Sequence, residues 1–393
     1  MQARALIMMP EPPYPLRGGG PMRTAAVMHY LARRYALDAV FFAEPGSQDP
    51  RAALPPGLIQ DSLLIELPRH SKQFHSRFLR NWSRYRRGAP PLVDRFSGFG
   101  KEVERFAKGR RWAVAVLEHF WCVGYRSVLD GFCDAIVIDL HNVESQLHLR
   151  SGALEHWPVS AMHRRFAEAC CEQESFFLPQ FDRVLVASRQ DRRLALDLAP
   201  QAKVDVYPNT IPWRDLPETA KEQRIVFSGN FAYPPNRDGV KYFNSRIWPL
   251  LSRRHAGLHW MLLGKNPEAV SSYVKGDNRI QMTGEVEDAF PPLAASLAAV
   301  VPLRSGSGTR VKILEAWAAG VPVVTTSIGA EGLPVVDGES ALLADDEKSF
   351  AAAVTALIDS TQLRNKVGNG GRRVFEKYFT WEAGWKGLAA LGI

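Results

Sequence analysis

The chain has 393 residues, 46% of them apolar and 23% charged, with 30 Gly and 27 Pro; this excludes collagen-like, coiled-coil and wholly disordered chains, and the length suggests two or three domains. Four cysteines without a Cys-x-x-Cys pair cannot make a disulfide framework in so long a chain, and fit the reduced thiols of a cytosol. The formal charge of +8 is unevenly placed: residues 69–111 carry 13 Lys or Arg against Asp94, Glu102 and Glu104, which leaves the remainder close to neutral.

The first aliphatic run, residues 3–9, reads as a strand, and its apolar part is too short for the hydrophobic region of an export signal. A Pro-rich and Gly-rich loop with Gly18, Gly19 and Gly20 follows it. Strands are predicted next at 37–42, 113–117, 135–139 and 183–186. Between the second and third of these, the basic stretch interleaves Phe74, Phe78, Trp82, Tyr85 and Phe96 with its cations. That pattern suits a helix lying on an anionic membrane surface, and it equally suits a solvated helical face. Such a patch also attracts nucleic acid in general, but nucleic acid is not among the expected partners.

A second series of strands is predicted at 224–227, 259–263, 280–283, 297–301 and 321–325. Short strands alternating with longer amphipathic segments are the pattern of βαβ units, and two parallel sheets fit better than one. The seam is expected at 207–210, where Pro208, Asn209 and Thr210 precede a polar segment. This gives an N-terminal domain over 1–207 and a C-terminal domain over 208–374, with an apolar terminal helix over 375–393 joining the first domain. No apolar stretch approaches the roughly 20 residues of a membrane-spanning helix.

Most of the chemistry lies in residues 301–326, VPLRSGSGTRVKILEAWAAGVPVVTT. A strand, a Gly/Ser loop over 304–309, a helix over 310–319 closed by Gly320 at its C′ position, and a further strand follow in order. In a parallel sheet this places the loop and the helix start at the carboxyl edge of the strands, where ligands of open α/β sheets bind. Gly306 and Gly308 allow close backbone approach to an anion, the helix start favours negative charge, and Arg310 and Lys312 add cations. These are the elements of a diphosphate site. Glu315, three residues after Lys312, suits a ribose, whose two hydroxyls one carboxylate can accept. The alternative is a Lys312–Glu315 surface pair worth only ~0.3–0.5 kcal/mol.

This segment resembles the nucleotide-binding region of retaining glycosyltransferases of family 4, which have the GT-B fold. The likeness continues along nearly the whole chain, through PEPPYPLRGGGPMR at 10–23, IDLHNVES at 138–145, FDRVLVASRQD at 181–191 and VYPNTIP at 206–212. It goes on through IVFSGNFAYPPNRDGVKYF at 225–243, MLLGKNP at 261–267, IQMTGEVED at 280–288, EGLPVVDGESALL at 331–343 and YFTWEAGWKGLAAL at 378–391.

The resemblance implies two Rossmann-like, doubly wound parallel-sheet domains facing a central cleft. The C-terminal domain would hold a nucleotide sugar and the N-terminal one would present the acceptor. It implies that His141, Arg310, Lys312 and Glu315 carry the reaction, with Glu315 on the ribose and Lys312 and Arg310 on the diphosphate. Gly229, Asn230, Gly264, Gly284, Glu285, Val286, Ser307, Gly308 and Thr309 would surround the donor, the residues at 284–286 near its base. Gly18, Gly19 and Gly20 would border the donor phosphates or sugar and the acceptor.

Two departures stand out. Ser307 occupies the place of the first Glu of the family's pair, and Asn230 and Asn236 stand where some members have Arg and Lys. Arg310, Lys312 and Arg304 are then expected to compensate the diphosphate charge. His119 is read as a core or rim histidine, and Asn142 and Glu144 as ligands of acceptor hydroxyls or as caps of the following helix. No Asp-x-Asp, no His/Cys metal spacing, no dinucleotide fingerprint and no Gly-x-Ser-x-Gly elbow occurs, so neither a metal nor a nicotinamide cofactor is expected.

The expected protein is therefore a cytoplasmic, metal-independent retaining glycosyltransferase without cofactor. It would use a nucleoside-diphosphate sugar, UDP favoured over GDP, and a saccharide or lipid-linked acceptor in cell-surface polysaccharide or glycolipid biosynthesis. Residues 69–111 would hold it peripherally at the inner membrane face. The alternatives are a non-catalytic sugar-nucleotide-binding partner of a biosynthetic complex and a GT-B nucleotide-sugar epimerase.

Overall fold

The computed structural model describes residues 2–71, 73–153, 155–306 and 310–393. Its first sheet has seven strands, all parallel, in the order β3-β2-β1-β4-β5-β6-β7. They are β1 Arg4–Met9, β2 Ala36–Ala43, β3 Asp61–Glu66, β4 Val114–Glu118, β5 Ile136–Leu140, β6 Arg183–Val186 and β7 Val204–Val206. The second sheet has six, also parallel, in the order β10-β9-β8-β11-β12-β13. These are β8 Arg224–Ser228, β9 His259–Leu263, β10 Ile280–Gly284, β11 Ala298–Val301, β12 Val323–Thr325 and β13 Leu342–Leu343.

The central strands are buried end to end, as in β4 and β5, because helices cover both faces of a parallel sheet and leave no place for alternating polar residues. In each sheet the strand order reverses once, between β1 and β4 and between β8 and β11. A crevice opens at the carboxyl ends of the strands at such a reversal, which is where an open α/β sheet binds its ligand.

Chain contacts divide the molecule into Met1–Pro208 with Gly387–Ile393, and Asn209–Lys386. The terminal segment forms two helices, Thr361–Tyr378 and Trp381–Ala390. Within the first unit, the Tyr30 hydroxyl donates to the carbonyl of Ile393 at 2.6 Å. Within the second, the helix Thr361–Tyr378 packs tightly on the helix Val311–Ala318: a Cβ on Gly371 would lie 2.2 Å from Trp317 Cδ1. Trp317 is itself fully buried and donates to the carbonyl of Ser340 at 2.8 Å. Among the described residues no helix is long and apolar enough to cross a membrane.

Candidate functional site

In the second unit, β8, β9 and β10 are followed or closed by Gly229, Gly264 and Gly284. The Gly264 N–H donates to the carbonyl of Gly284 at 3.2 Å and the Gly229 N–H to that of Leu263 at 2.9 Å. A Cβ on Gly264 would lie 2.0 Å from the Gly229 carbonyl oxygen, so no other residue fits. Just beyond this edge, Lys265 and Glu285 form an ion pair at 3.1 Å, and Val286 is half-buried.

The strand β11 leads through a loop into the helix Val311–Ala318. Ser307, Gly308 and Thr309 lie outside the described residues. Gly306, at φ 125°, has left-handed geometry that a side chain would strain. Arg310 is buried and donates to the carbonyls of Gly306 at 3.2 Å and Ile328 at 3.0 Å, with Glu331 at 3.5 Å. Its guanidinium thus braces the loop. Arg304 is held by Asp238 at 2.6 Å and lies over the Tyr242 ring. Gly320, at φ 66°, closes the helix as the residue pattern suggests: its N–H bonds Trp317, and the N–H of Val321 reaches back to Ala316. That second bond holds Val321 in the helix cap, so β12 begins two residues later than the apolar run.

Lys312 reaches across to the end of β8. Its ammonium donates to Asn236 Oδ1 and sits 4.5 Å over the Phe227 ring, and a Cβ on Gly229 would be 3.2 Å from Nζ. Asn236, itself buried, passes the connection on by donating to the Asn230 carbonyl at 2.8 Å. Asn230 Oδ1 accepts from Asn266 at 2.8 Å and from the N–H of Ala232 at 3.0 Å. The lysine therefore places its cation on Asn236, which ties it to Asn230.

Burial pushes Lys312 down to about 7 and Glu315 up to about 7, each shift partly opposed by the charge of the other. The surface-pair alternative is not realised, since Lys312 is bonded to Asn236. Glu315 is half-buried, and its carboxylate makes no hydrogen bond or ion pair among the described residues. An ammonium with spare N–H groups and an uncommitted carboxylate one turn further on can hold, respectively, a phosphate oxygen and a pair of vicinal hydroxyls.

In the first unit, the carboxyl ends of β1, β4 and β5 carry a polar cluster of their own. Arg23, from the helix Gly19–Ala32, is 1% exposed and grips both oxygens of Asp139 at 2.5 and 2.8 Å; it also donates to the carbonyl of Tyr207 at 2.6 Å. Glu118, the fully buried last residue of β4, accepts from the Thr24 hydroxyl at 3.0 Å and pairs with His141 Nε2 at 2.8 Å. Desolvation raises Glu118 to about 7 and lowers His141 to about 4.

His141 follows β5 directly, and its ring lies 3.7 Å from that of His119, which stacks on Trp121 at 4.1 Å. Gly18 precedes the first helix, Gly19 and Gly20 form its first turn, and a Cβ on Gly20 would lie 3.6 Å from His141 Nδ1 and from Glu11. His141 and Gly20 are thus brought together, while Glu118, Arg23 and Glu11 are additions that motif reading missed. A signal existed: Glu118 and Asp139 are charges within or ending otherwise aliphatic strands, and such residues are rarely buried unless paired.

Glu118, Asp139 and His141 bring one potential ligand atom each within 4.8 Å of one another. Arg23 already occupies both Asp139 oxygens and Glu118 already takes His141 Nε2, so a cation would have to displace a buried guanidinium. Glu144 has a structural role here: its carboxylate accepts from Trp121 Nε1 at 3.0 Å, and its own N–H is capped by Glu174 at 2.7 Å.

The two parallel sheets and their connections define a two-domain α/β protein of the GT-B type, the architecture of a large class of glycosyltransferases. The family described as Glycosyl transferases group 1 matches residues 222–360, which include the Lys312–Glu315 helix. The chain is similar to the lipopolysaccharide core biosynthesis glycosyltransferase LpsE of Rhizobium meliloti, 29% identical over 137 residues, 33% of this chain and 40% of that protein. It spans between about a fifth and two fifths of the length of the curated relatives it matches.

Among solved structures, the sucrose-phosphate synthase (tll1590) from Thermosynechococcus elongatus superposes with a TM-score of 0.72 at 16% identity, covering 99% of this chain and 98% of that one. Anabaena Alr3699/HepE in complex with UDP and glucose superposes with a TM-score of 0.68 at 12% identity, covering 99% and 98%. At such identities the likeness is one of fold.

Proposed function

We propose that this chain is a metal-independent retaining glycosyltransferase that takes a sugar from a nucleoside-diphosphate sugar, UDP favoured, and passes it to a saccharide or lipid-linked acceptor in cell-surface polysaccharide biosynthesis. The observation that carries the reading is the placement of Lys312 against Asn236 and Gly229, with the uncommitted carboxylate of Glu315 on the next turn. The family match over 222–360 and the similarity to LpsE support it. The UDP in the HepE structure supports the choice of base.

In this reading Lys312 and the amides around Gly229 hold the diphosphate, and Glu315 holds the ribose hydroxyls. The fixed cation balances negative charge as it develops on the leaving diphosphate, which is the main contribution a protein makes to such a departure. The acceptor hydroxyl attacks on the face from which the diphosphate leaves and gives up its proton to a leaving phosphate oxygen. No protein carboxylate is needed as the base. The test is incubation of the purified protein with UDP-, GDP-, ADP- and dTDP-sugars together with lipid-linked saccharide. Transfer from a UDP-sugar with retained anomeric configuration is expected, and inverted product or transfer only in the presence of a divalent metal contradicts the proposal.

The peripheral membrane reading also keeps a specific observation. The helix Phe74–Arg87 exposes Phe78, Leu79 and Trp82, with Phe78 and Trp82 stacked at 6.5 Å and Trp82 and Tyr85 at 5.6 Å. The basic stretch is less charged than its composition implies. Arg84 and Arg87 pair with Asp94, and Arg95, Arg110 and Arg111 pair with Glu44, Asp61 and Asp134 from outside the stretch. Exposed rings with Arg77 and Arg86 beside them suit an anionic lipid surface.

A further inference from the structure

We propose that a cavity in the first unit takes the hydrocarbon chain of a lipid acceptor, so that the acceptor is a glycolipid and not a free saccharide. That the chain belongs to an acceptor rests on the glycosyltransferase reading; that the cavity takes a hydrocarbon chain does not.

The cavity has a volume of about 330 Å³ and lies wholly among residues 93–177. Packed interiors leave few voids larger than a water molecule, and a space of this size falls in the range of small-molecule sites. Three elements build most of its wall. The segment Phe120–Tyr125, which follows β4, gives Trp121, Gly124 and Tyr125; the helix Pro91–Phe96 gives Val93; and the helix Val159–Phe177 gives Gln173 and Phe177. A cavity of about 150 Å³ holds a benzene ring, so this one has space for roughly a dozen carbons.

Most polar groups of the wall are already spent. Trp121 Nε1 donates to Glu144 at 3.0 Å, the Tyr125 hydroxyl to the carbonyl of Phe96 at 2.6 Å, and the Ser97 hydroxyl to that of Asp94 at 3.1 Å. Gln173 Oε1, by contrast, is buried and has no hydrogen-bond partner among the described residues. A buried acceptor without a donor is costly, and a chain with one O–H beside it supplies that donor. A space walled by rings and aliphatic side chains, with one such acceptor, suits that amphiphile and not an ion or a free sugar.

The surroundings of the cavity point the same way. Leu92, next to Val93, is 40% exposed, and Phe176, next to Phe177, is 64% exposed, with the two phenyl rings at 4.9 Å. Arg84 and Arg87 reach Asp94 at 2.8 and 3.0 Å, which ties the helix of Val93 to the helix whose Phe78, Leu79 and Trp82 face solvent. The same wall is therefore attached to the helix that suits a lipid surface, where a chain leaving a bilayer would enter. On another side Trp121 stacks on His119 at 4.1 Å, so the cavity flanks the polar cluster at the carboxyl ends of β4 and β5. That edge is where an open α/β sheet receives a polar head group.

The test is calorimetry of the purified full chain with octyl glucoside, below its micelle concentration, and with methyl glucoside, followed by transfer assays with both as acceptors. One octyl glucoside per chain is expected, bound at least about tenfold more tightly than methyl glucoside. Gly124→Leu narrows the cavity without strain, since a Cβ there meets nothing within 4 Å and Gly124 is not among the glycines of positive φ. It should weaken octyl glucoside roughly tenfold and leave methyl glucoside unchanged. Gln173→Leu, which removes the acceptor, should weaken octyl glucoside roughly fivefold and decides the matter if Gly124→Leu does not fold.

Equal affinity for the two glucosides overturns the proposal, as do variants that bind octyl glucoside like the wild type. So does loss of that binding in Phe78→Ser with Trp82→Ser while Gly124→Leu retains it, which places the chain on the outer helix. Transfer to both glucosides with equal KM refutes the assignment to the acceptor. Octyl glucoside bound in the cavity without transfer to any acceptor refutes the functional reading and leaves the cavity as a site for a hydrocarbon chain.

Discussion

Replacing Lys312 by Met separates binding from folding, because the two roles of this side chain pull in opposite directions. Met keeps the length of the stem and its contact with the Phe227 ring, over which the ammonium lies at 4.5 Å. It removes a cation whose charge burial disfavours, as the fall of Lys312 to about 7 shows. Against this gain, Asn236 Oδ1 loses its donor, a cost of ~1–3 kcal/mol for a buried acceptor. These effects are similar in size and opposite in sign, so Tm should stay within about 4 °C of wild type, the shift that ~1 kcal/mol produces in a domain of this size. Binding has no such compensation. A hydrogen bond to a charged group contributes ~1.5–3 kcal/mol, so the Kd for UDP should rise roughly 10- to 150-fold. Thermal unfolding and calorimetric titration on the same preparations check both halves. Unchanged UDP affinity refutes the assigned role, and loss of binding with a large fall in Tm shows that Lys312 is part of the scaffold only.

The affinity for UDP should peak near pH 7. Below that pH Glu315, raised to about 7, must lose a proton to accept the ribose hydroxyls, and above it Lys312, lowered to about 7, must gain one to hold the diphosphate. Titration across pH 5.5–9 should show the acid limb missing in Glu315→Gln and the alkaline limb missing in Lys312→Met. Gly264→Ala should be severely destabilised, with loss of soluble folded protein, because the added carbon would lie 2.0 Å from the Gly229 carbonyl oxygen; a wild-type melting curve contradicts the close approach. Phe78→Ser with Trp82→Ser should abolish pelleting with anionic vesicles at low salt while leaving UDP binding unchanged, and equal pelleting of the variant and wild type removes the membrane surface from the account.

The parallel sheets were legible because buried parallel strands are nearly continuous aliphatic runs. β6 and β9 fall at the predicted residues, and the glycine closure of the Lys312 helix does too. The strand β3 escaped notice because Asp61–Glu66 is an edge strand with charged residues at both ends, and β13 has only two residues. The terminal helix divides at Phe379 and Thr380, where the Thr380 hydroxyl accepts from the N–H of Ala383 and starts a new helix.

At the candidate site, local spacing pointed to Lys312 and Glu315 but could not show that the lysine turns from the carboxylate to Asn236, 76 residues earlier in the chain. Nor could it show Arg304 spent on Asp238, or the pairing of Glu118 with His141. These contacts join strand ends that are neighbours only in the folded sheet. For the same reason the charge count over 69–111 could not show that three of its arginines pair with carboxylates outside the stretch.

The most direct measurement is calorimetric titration of wild type and Glu315→Ala with UDP and with uridine monophosphate. The account predicts one UDP site in the wild type, weaker binding of the monophosphate, and loss of most UDP affinity in the variant without loss of folded structure. Absence of binding by every nucleoside diphosphate, or an Ala variant that binds UDP as tightly as wild type, contradicts it.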